Sequence, residues 1–223
     1  MDVPSTCQIP CLEALYYGIF GNRTGLFVEV GAHDGVTYSN TWPLATLGWE
    51  GIYVEPIPEF ATKCRENHAF HPDIYVEECA VGSEDGVLDM HTNGQLFTGS
   101  RELGLILGVE EQVYISVIQR TLDSILHQYS VDKIDLVVID VEGMELEVLA
   151  GFNIPKYLPT MIIIEAHERH VNEAMSFNAP EINGLLYNFG YTRIYSDSIN
   201  NIYLQTYQVS MAQEKMFNDQ AII

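Results

Sequence analysis

The chain has 223 residues, enough for one domain with a sizeable core. Its 47% hydrophobic and 18% charged residues are typical of a globular protein. The 31 Asp+Glu and 10 Lys+Arg give a formal net charge of −21. This balance disfavours nucleic acid and anionic membranes as partners, because both are bound largely through Lys and Arg.

Neither the N-terminal sequence nor the cysteines indicate export. The apolar stretch over 12–20 is interrupted by Glu13 and has no basic segment before it, unlike a signal peptide. No apolar run reaches the roughly 18 residues that span a bilayer. The four scattered cysteines favour free thiols in a reducing compartment. We therefore expect a cytoplasmic protein with no membrane partner.

Taken in chain order, the hydrophobic patterns predict strands that alternate with helices. Strands are predicted over 26–30, 51–55, 74–81, 87–91, 113–118, 136–139 and 161–164, and helices over 38–47, 58–68, 122–129, 144–149 and 180–188. Two closing strands, over 191–195 and 202–207, lack a helix between them and are expected to be antiparallel. The segment 92–112 contains four glycines and is predicted to be a long loop.

This order predicts an α/β fold in which a mostly parallel, seven-stranded sheet carries helices on both faces and ends in an antiparallel C-terminal hairpin. The continuous apolar runs 136–139 and 161–164 indicate central strands that are covered on both faces. We divide the chain into an N-terminal helical extension (1–25), one α/β domain (26–208) and a polar C-terminal tail (209–223). Ligands of such sheets bind outside the carboxyl ends of the strands.

The end of the first predicted strand combines two glycines with an acid. Gly31 and Gly35 allow a tight turn and close approach of a ligand, but their spacing is not that of a dinucleotide site. Glu29 would repel a phosphate and attract an ammonium group. Glu55, which ends the second strand, is placed to accept hydrogen bonds from ribose hydroxyls. This combination describes S-adenosylmethionine better than a nicotinamide dinucleotide.

Two blocks of sequence carry a resemblance to a known family. The first is FVEVGAHDGVTYSN (27–40) with LGWEGIYVEP (47–56), and the second is RTLDSIL (120–126) with IDLVVIDVEGMELEVLAG (134–151). Over about residues 26–166 the chain thereby resembles the FkbM-type methyltransferases. The resemblance implies a Rossmann-like class I methyltransferase fold, S-adenosylmethionine as the donor, and O-methylation, often of a sugar hydroxyl.

Carried over residue by residue, the resemblance implies a donor pocket at the strand ends. Glu29, Gly31 and Ala32 would hold the methionine part of the donor, with Ser39 and Asn40 near its carboxylate. The other members of the implied donor set are Glu55 for the ribose, His33 and Gly35 in the turn, Pro56, Ile57, Ala80 and Val81 around the adenine, Asp140 where the methyl group and the acceptor meet, and Glu142.

Some of these residues have a purely structural alternative. Ser39 and Asn40 could simply cap the helix that follows them. Glu142 could merely precede a helix, where an acid suits the helix dipole. His33 stands where a common form of the family has Asn, so its contact is left open.

The acceptor side is predicted from the residues after the strand over 161–164. Glu165 and His167 alternate there and share one face if the strand continues, while Asp140 ends the neighbouring strand. Methyl transfer needs the acceptor oxygen held in line with the leaving sulfur and its proton removed. Three interpretations stay open: His167 as general base; Asp140, Glu165 and His167 as ligands of Mg²⁺ or Mn²⁺; or a hydrogen-bonded strand end without a catalytic part.

We therefore predict an S-adenosylmethionine-dependent O-methyltransferase that acts on a sugar or glycan hydroxyl, with Asp140, Glu165 and His167 as candidate catalytic residues. One alternative keeps the donor and takes a small phenol or a protein side chain as acceptor. Another is a binding module of methyltransferase fold that has lost catalysis, which the intact acids Glu29 and Glu55 argue against. The sequence gives no prediction of the oligomeric state.

Overall fold

A seven-stranded sheet forms the centre of the fold. The computed structural model describes residues 7–92, 97–98, 114–166, 178–197 and 199–210. In chain order the elements are α1 (Leu12–Phe20), β1 (Leu26–Val30), α2 (Trp42–Thr46), β2 (Glu50–Val54), α3 (Pro58–Asn67), β3 (Ile74–Glu77), β4 (Ala80–Val81), β5 (Gly86–Thr92), β6 (Phe97–Thr98), β7 (Tyr114–Arg120), α4 (Leu122–Gln128), β8 (Leu136–Ile139), α5 (Glu145–Ala150), α6 (Ile154–Tyr157), β9 (Met161–Glu165), α7 (Ala179–Asn188), β10 (Tyr191–Ser196) and β11 (Asn200–Gln205).

The central sheet has the strand order β10-β11-β9-β8-β1-β2-β3. Neighbouring strands from β9 to β3 pair in parallel, whereas β11 is antiparallel to both β9 and β10. This confirms the predicted mostly parallel, seven-stranded sheet with a C-terminal antiparallel hairpin. The continuous apolar runs do form central strands, because β8 pairs on both sides and its four side chains are buried.

Two apolar cores cover the two faces of the sheet. On one face, α4, α5, α6 and α7 pack against residues such as Val28, Val137 and Ile162. On the other face, α1, α2 and α3 pack against residues such as Phe27 and Val138. Successive side chains of a strand point to opposite faces, so each central strand supplies both cores.

The helix α1 belongs to the second of these cores. Leu12, Tyr16 and Phe20 recur every four residues, so they share one helical face, and all three are buried. The ring of Phe20 meets that of Trp49 edge-on, with 5.0 Å between the ring centroids. The segment before β1 is thereby packed against the sheet on the same side as α2 and α3.

A second, four-stranded sheet with the order β4-β7-β5-β6 lies outside the central one. The prediction of one continuous strand over 74–81 was wrong, because β3 and β4 belong to different sheets. Glu77 ends β3, and Glu78 and Cys79 separate it from β4. Glu77 is within hydrogen-bond distance of Tyr129 and Arg120, and Glu78 pairs with Arg65. After this polar break the chain leaves β2, and β4 pairs in parallel with β7.

Two other predicted segments differ from the structure. The predicted helix over 38–47 is confined to α2, because Tyr38 has a φ of +61° and lies outside the helical region. Within the predicted loop over 92–112, the described residues Phe97 and Thr98 form β6, which pairs with the end of β5. Residues 93–96 and 99–112 of that loop lie outside the described residues.

The four cysteines are free, as their spacing predicted. Burial raises the pKa of the Cys64 and Cys79 thiols to about 12. In the part of the chain that the structure describes, no helix combines the length and the apolar character that crossing a bilayer requires.

Candidate active site

The carboxyl ends of β1, β2 and β8 meet at Gly31. The backbone N–H of Gly31 donates to the carbonyl of Val54, at 2.9 Å, and that of Asp140 donates to the carbonyl of Val30, at 3.0 Å. A Cβ atom on Gly31 would lie 1.7 Å from the backbone oxygen of Asp140, and its φ is +85°. Glycine is therefore required where the backbone after β1 approaches the backbone after β8.

A cavity of about 350 Å³ opens at this edge of the sheet, a size within the range of small-molecule sites. Of the predicted donor set, all members line it except Gly35 and Asn40. The lining residues are Gln8, Glu29, Val30, Gly31, Ala32, His33, Thr37, Tyr38, Ser39, Val54, Glu55, Pro56, Ile57, Phe60, Cys79, Ala80, Val81, Leu88, Met90, Asp140, Val141, Glu142 and Met144.

Glu29 is buried and holds the loop that follows β1. Its carboxylate accepts hydrogen bonds from the Ser39 hydroxyl (2.7 Å), the Thr41 hydroxyl (2.6 Å) and the backbone N–H of Asn40 (3.1 Å). Burial raises the pKa of Glu29 to about 7, although these hydrogen bonds act in the opposite direction. Glu29 thus both faces the cavity and fixes its wall.

The two predicted residues that do not line the cavity support it from behind. Asn40 is buried, and its backbone carbonyl accepts a hydrogen bond from the Tyr16 hydroxyl at 2.8 Å. The carbonyl of Gly35 lies 3.0 Å from Nε2 of His68. Ser39 has a capping contact as well, since its hydroxyl accepts the backbone N–H of Trp42, the first residue of α2.

Glu55 occupies the middle of the cavity wall. Its two carboxylate oxygens accept the backbone N–H groups of His33, at 2.8 Å, and Ile57, at 2.9 Å. It is 5% exposed, and burial raises its pKa to about 7. The backbone contacts leave the remaining lone pairs of both oxygens for a ligand.

The far end of the cavity is apolar and was only partly predicted. Ile57, Ala80, Met90 and Val117 form a small buried cluster, against which Phe60 and Leu88 pack. Leu88 and Met90 come from β5 of the second sheet, which the prediction did not connect to the site. The alternation of Leu88 and Met90 with the polar Asp89 was the available signal, because it marks one buried face of a strand.

Three carboxylates gather at the opposite end of the cavity. Oxygens of Asp140, Glu142 and Glu165 all lie within 4.8 Å of one another. Burial and then the charge of Asp140 raise the pKa of Glu142 to about 7, and the same two causes raise that of Glu165 further. Glu142, assigned to the donor by the sequence, thus joins the predicted Asp140–Glu165 pair. His167, the third member predicted for this cluster, lies outside the described residues.

Comparison with known families shows the family of the chain. The family model described as "Methyltransferase FkbM domain" matches residues 29–192. The chain belongs to the FkbM methyltransferase family. This confirms the predicted family and the prediction of a methyltransferase enzyme. The matched residues begin at Glu29, so they include most of the cavity but not Gln8.

A curated relative of this FkbM methyltransferase is the 2-O-methyltransferase NoeI of Sinorhizobium fredii (strain NBRC 101917 / NGR234). The two are 29% identical over 141 residues, which is 56% of this chain and 56% of NoeI. The match therefore spans little more than half of the relative's length.

A solved structure of another protein shares the fold. The fibrillarin pre-rRNA processing protein of Methanococcus jannaschii matches with a TM-score of 0.50 at 13% identity, over 82% of this chain and 67% of that one. The precorrin-6y C5,15-methyltransferase of Geobacter metallireducens GS-15 gives a TM-score of 0.48 at 10% identity, over 91% of each chain.

Proposed function

We propose that this FkbM methyltransferase transfers the methyl group of S-adenosylmethionine to a hydroxyl of a sugar, in a glycan or a glycosylated molecule. The observation that carries the proposal is the order of groups along the cavity. The acids around Asp140 lie at one end of the cavity. Glu55 lies in the middle, and an apolar slot around Ile57 and Met90 lies at the other end.

The cavity fits the three parts of the donor in this order. The amino-acid part lies beside Gly31 and the loop that Glu29 holds, where an ammonium group meets carboxylate. Glu55 accepts hydrogen bonds from the ribose hydroxyls, and the apolar slot takes the adenine. When bound, the sulfonium supplies an electrophilic methyl group near Asp140.

Two lines support an oxygen acceptor. The relative NoeI is named a 2-O-methyltransferase, and the family resemblance implies O-methylation of sugar hydroxyls. A sugar hydroxyl is barely acidic, so it needs a group that removes or stabilises its proton. The acids at the end of the cavity are the described groups placed for this task.

Asp140 is the proposed proton acceptor within the acidic cluster. Glu165 is hydrogen-bonded to Asp140, and burial followed by the charge of Asp140 raises the pKa of Glu165. The oxygens of Asp140, Glu142 and Glu165 also suit Mg²⁺ or Mn²⁺, which prefer carboxylate ligands. An ion bound there would lower the pKa of the acceptor hydroxyl.

The first test of this function measures donor binding and methyl transfer. Isothermal titration should show binding of S-adenosylmethionine, and incubation with a panel of glycans should give a methylated product by mass spectrometry. Asp140→Asn should lower turnover roughly 100-fold or more, because the amide cannot accept the proton. Asp89→Asn, a change of an exposed acid on β5, is the matched control and should leave turnover unchanged.

The outcomes separate the alternatives. No donor binding would leave only a binding module of methyltransferase fold, and methylation of phenols or protein side chains alone would reject the sugar acceptor. Activity lost with a chelator and restored by Mg²⁺ or Mn²⁺ would assign the metal to the cluster. Full activity in chelator would exclude the metal and leave proton removal to a side chain, Asp140 or the predicted base His167.

A further inference from the structure

The segment before the family-matched residues reaches the cavity through Gln8. The backbone N–H of Gln8 donates to Oδ1 of Asn40, at 3.2 Å. Its side-chain Nε2 lies 3.5 Å from Oδ2 of Asp140. The exposed Gln8 side chain is thus a lining residue of the cavity that comes from outside residues 29–192.

Gln8 is held on both sides by anchored neighbours. Ile9, which follows it, is 2% exposed and packs into the core with α1. Before it, the Cys7 thiol donates to the carbonyl of Asn40, at 3.7 Å, and the Tyr16 hydroxyl donates to the same carbonyl. Because the backbone N–H of Asn40 donates to Glu29, this anchor is continuous with the wall of the donor cavity.

The strand order shows which end of the cavity Gln8 covers. The sheet runs β8, β1, β2, so Asp140, Gly31 and Glu55 follow one another across the site. The apolar slot lies beyond Glu55, on the side of the second sheet. Gln8 touches Asp140 and therefore stands at the amino-acid end, away from the slot proposed for adenine.

We propose that Gln8 is a donor-binding residue that covers the amino-acid part of S-adenosylmethionine and orients the Asp140 carboxylate. This inference rests on the proposed function. A primary amide offers N–H donors and a carbonyl acceptor in one plane. With Nε2 directed to Asp140, its Oε1 accepts a hydrogen bond from the donor's ammonium group.

The test compares two ligands that differ at this end. 5′-Methylthioadenosine contains the adenine, ribose and sulfur but lacks the amino-acid part. By isothermal titration, Gln8→Ala should bind S-adenosylmethionine about 10-fold more weakly, the loss of one hydrogen bond to a charged group. Its affinity for 5′-methylthioadenosine should stay within about 2-fold of wild type, since a contact with the missing part cannot contribute.

Control variants separate this role from a structural one. Gln208→Ala changes an amide that contacts Tyr207 and does not line the cavity, so both affinities should be unchanged. Gln8→Leu keeps the side-chain volume and should show the same selective loss as Gln8→Ala. A mere loosening of the segment would weaken both ligands alike, and that result would overturn the inference.

The remaining outcomes are also distinct. Unchanged affinity of Gln8→Ala for S-adenosylmethionine would overturn the inference and leave the proposed function standing. Wild-type protein that binds no S-adenosylmethionine would overturn both.

Discussion

Gly31 and Gly48 have nearly the same backbone conformation, with φ of +85° and +82°, but different surroundings. A Cβ on Gly48 would have open space around it, whereas on Gly31 it would overlap the backbone oxygen of Asp140. Comparing the two glycines therefore separates the strain of a positive φ from the steric requirement at the close approach of Gly31 to Asp140.

Gly31→Ala should abolish detectable binding of S-adenosylmethionine, because the ends of β1 and β8 must move apart and carry Asp140 with them. Gly48→Ala should keep wild-type affinity and lose only about 1 kcal/mol of unfolding free energy, the usual cost of a side chain at positive φ. Calorimetric titration and urea unfolding of both variants measure this. Equal losses in the two variants would show that only backbone strain matters.

At the same scale, the sequence predicted most of the donor side because its residues follow apolar strands. Glu29, Gly31 and Glu55 could be placed in this way, since strand ends of a parallel sheet converge. Gln8 could not, because it belongs to no strand and reaches the site only through the packing of Ile9 and α1.

At the scale of elements, the second sheet supplies one end of the cavity. The strand β5 turns Leu88 and Met90 inward, toward Ile57 and Ala80, and Val87 outward. The central sheet was predicted from long apolar runs, but β4 and β6 have two residues each, and β4 pairs with β7, which is distant in sequence. Such short strands have too few residues for a periodic signal.

Met90→Ala should weaken binding of S-adenosylmethionine and 5′-methylthioadenosine alike, by about 10-fold, because it removes apolar contact with the adenine that both ligands contain. Val87→Ala, on the exposed face of the same strand, is the matched control and should bind both like wild type. The same titrations measure both variants. A loss confined to S-adenosylmethionine would place the adenine elsewhere.

At the scale of the whole molecule, the net charge of −21 affects stability through the acids that the fold buries. Burial raises the pKa of Glu29, Glu55 and Glu145 from 4.5 to about 7. Between these values the folded protein binds more protons than the unfolded chain. The contribution of these carboxylates to the unfolding free energy therefore falls as pH rises from about 4.5 to 7 and then levels off.

The hydrogen bonds that these buried acids accept explain why the fold retains them. Glu145 accepts the backbone N–H of Gly143 and a side-chain N–H of Asn178, so it ties the turn after β8 to the start of α7. Glu29 and Glu55 likewise fix the loops after β1 and β2. The buried carboxylates that shape the cavity are thus the ones that lower stability near neutral pH.

Glu145→Gln should raise the unfolding free energy at pH 8 by about 1 to 3 kcal/mol and leave it unchanged at pH 5, since the amide avoids burying a charge. The amide oxygen can still accept from Gly143. Rotation of the Asn178 amide presents its Oδ1, which has no partner among the described residues, to the new N–H₂ group.

Glu147→Gln on the same helix removes an equal charge without that burial and should follow the wild-type pH dependence. Urea unfolding from pH 5 to 8 at constant ionic strength measures all three proteins, and wild-type stability that rises over this range would contradict the assignment.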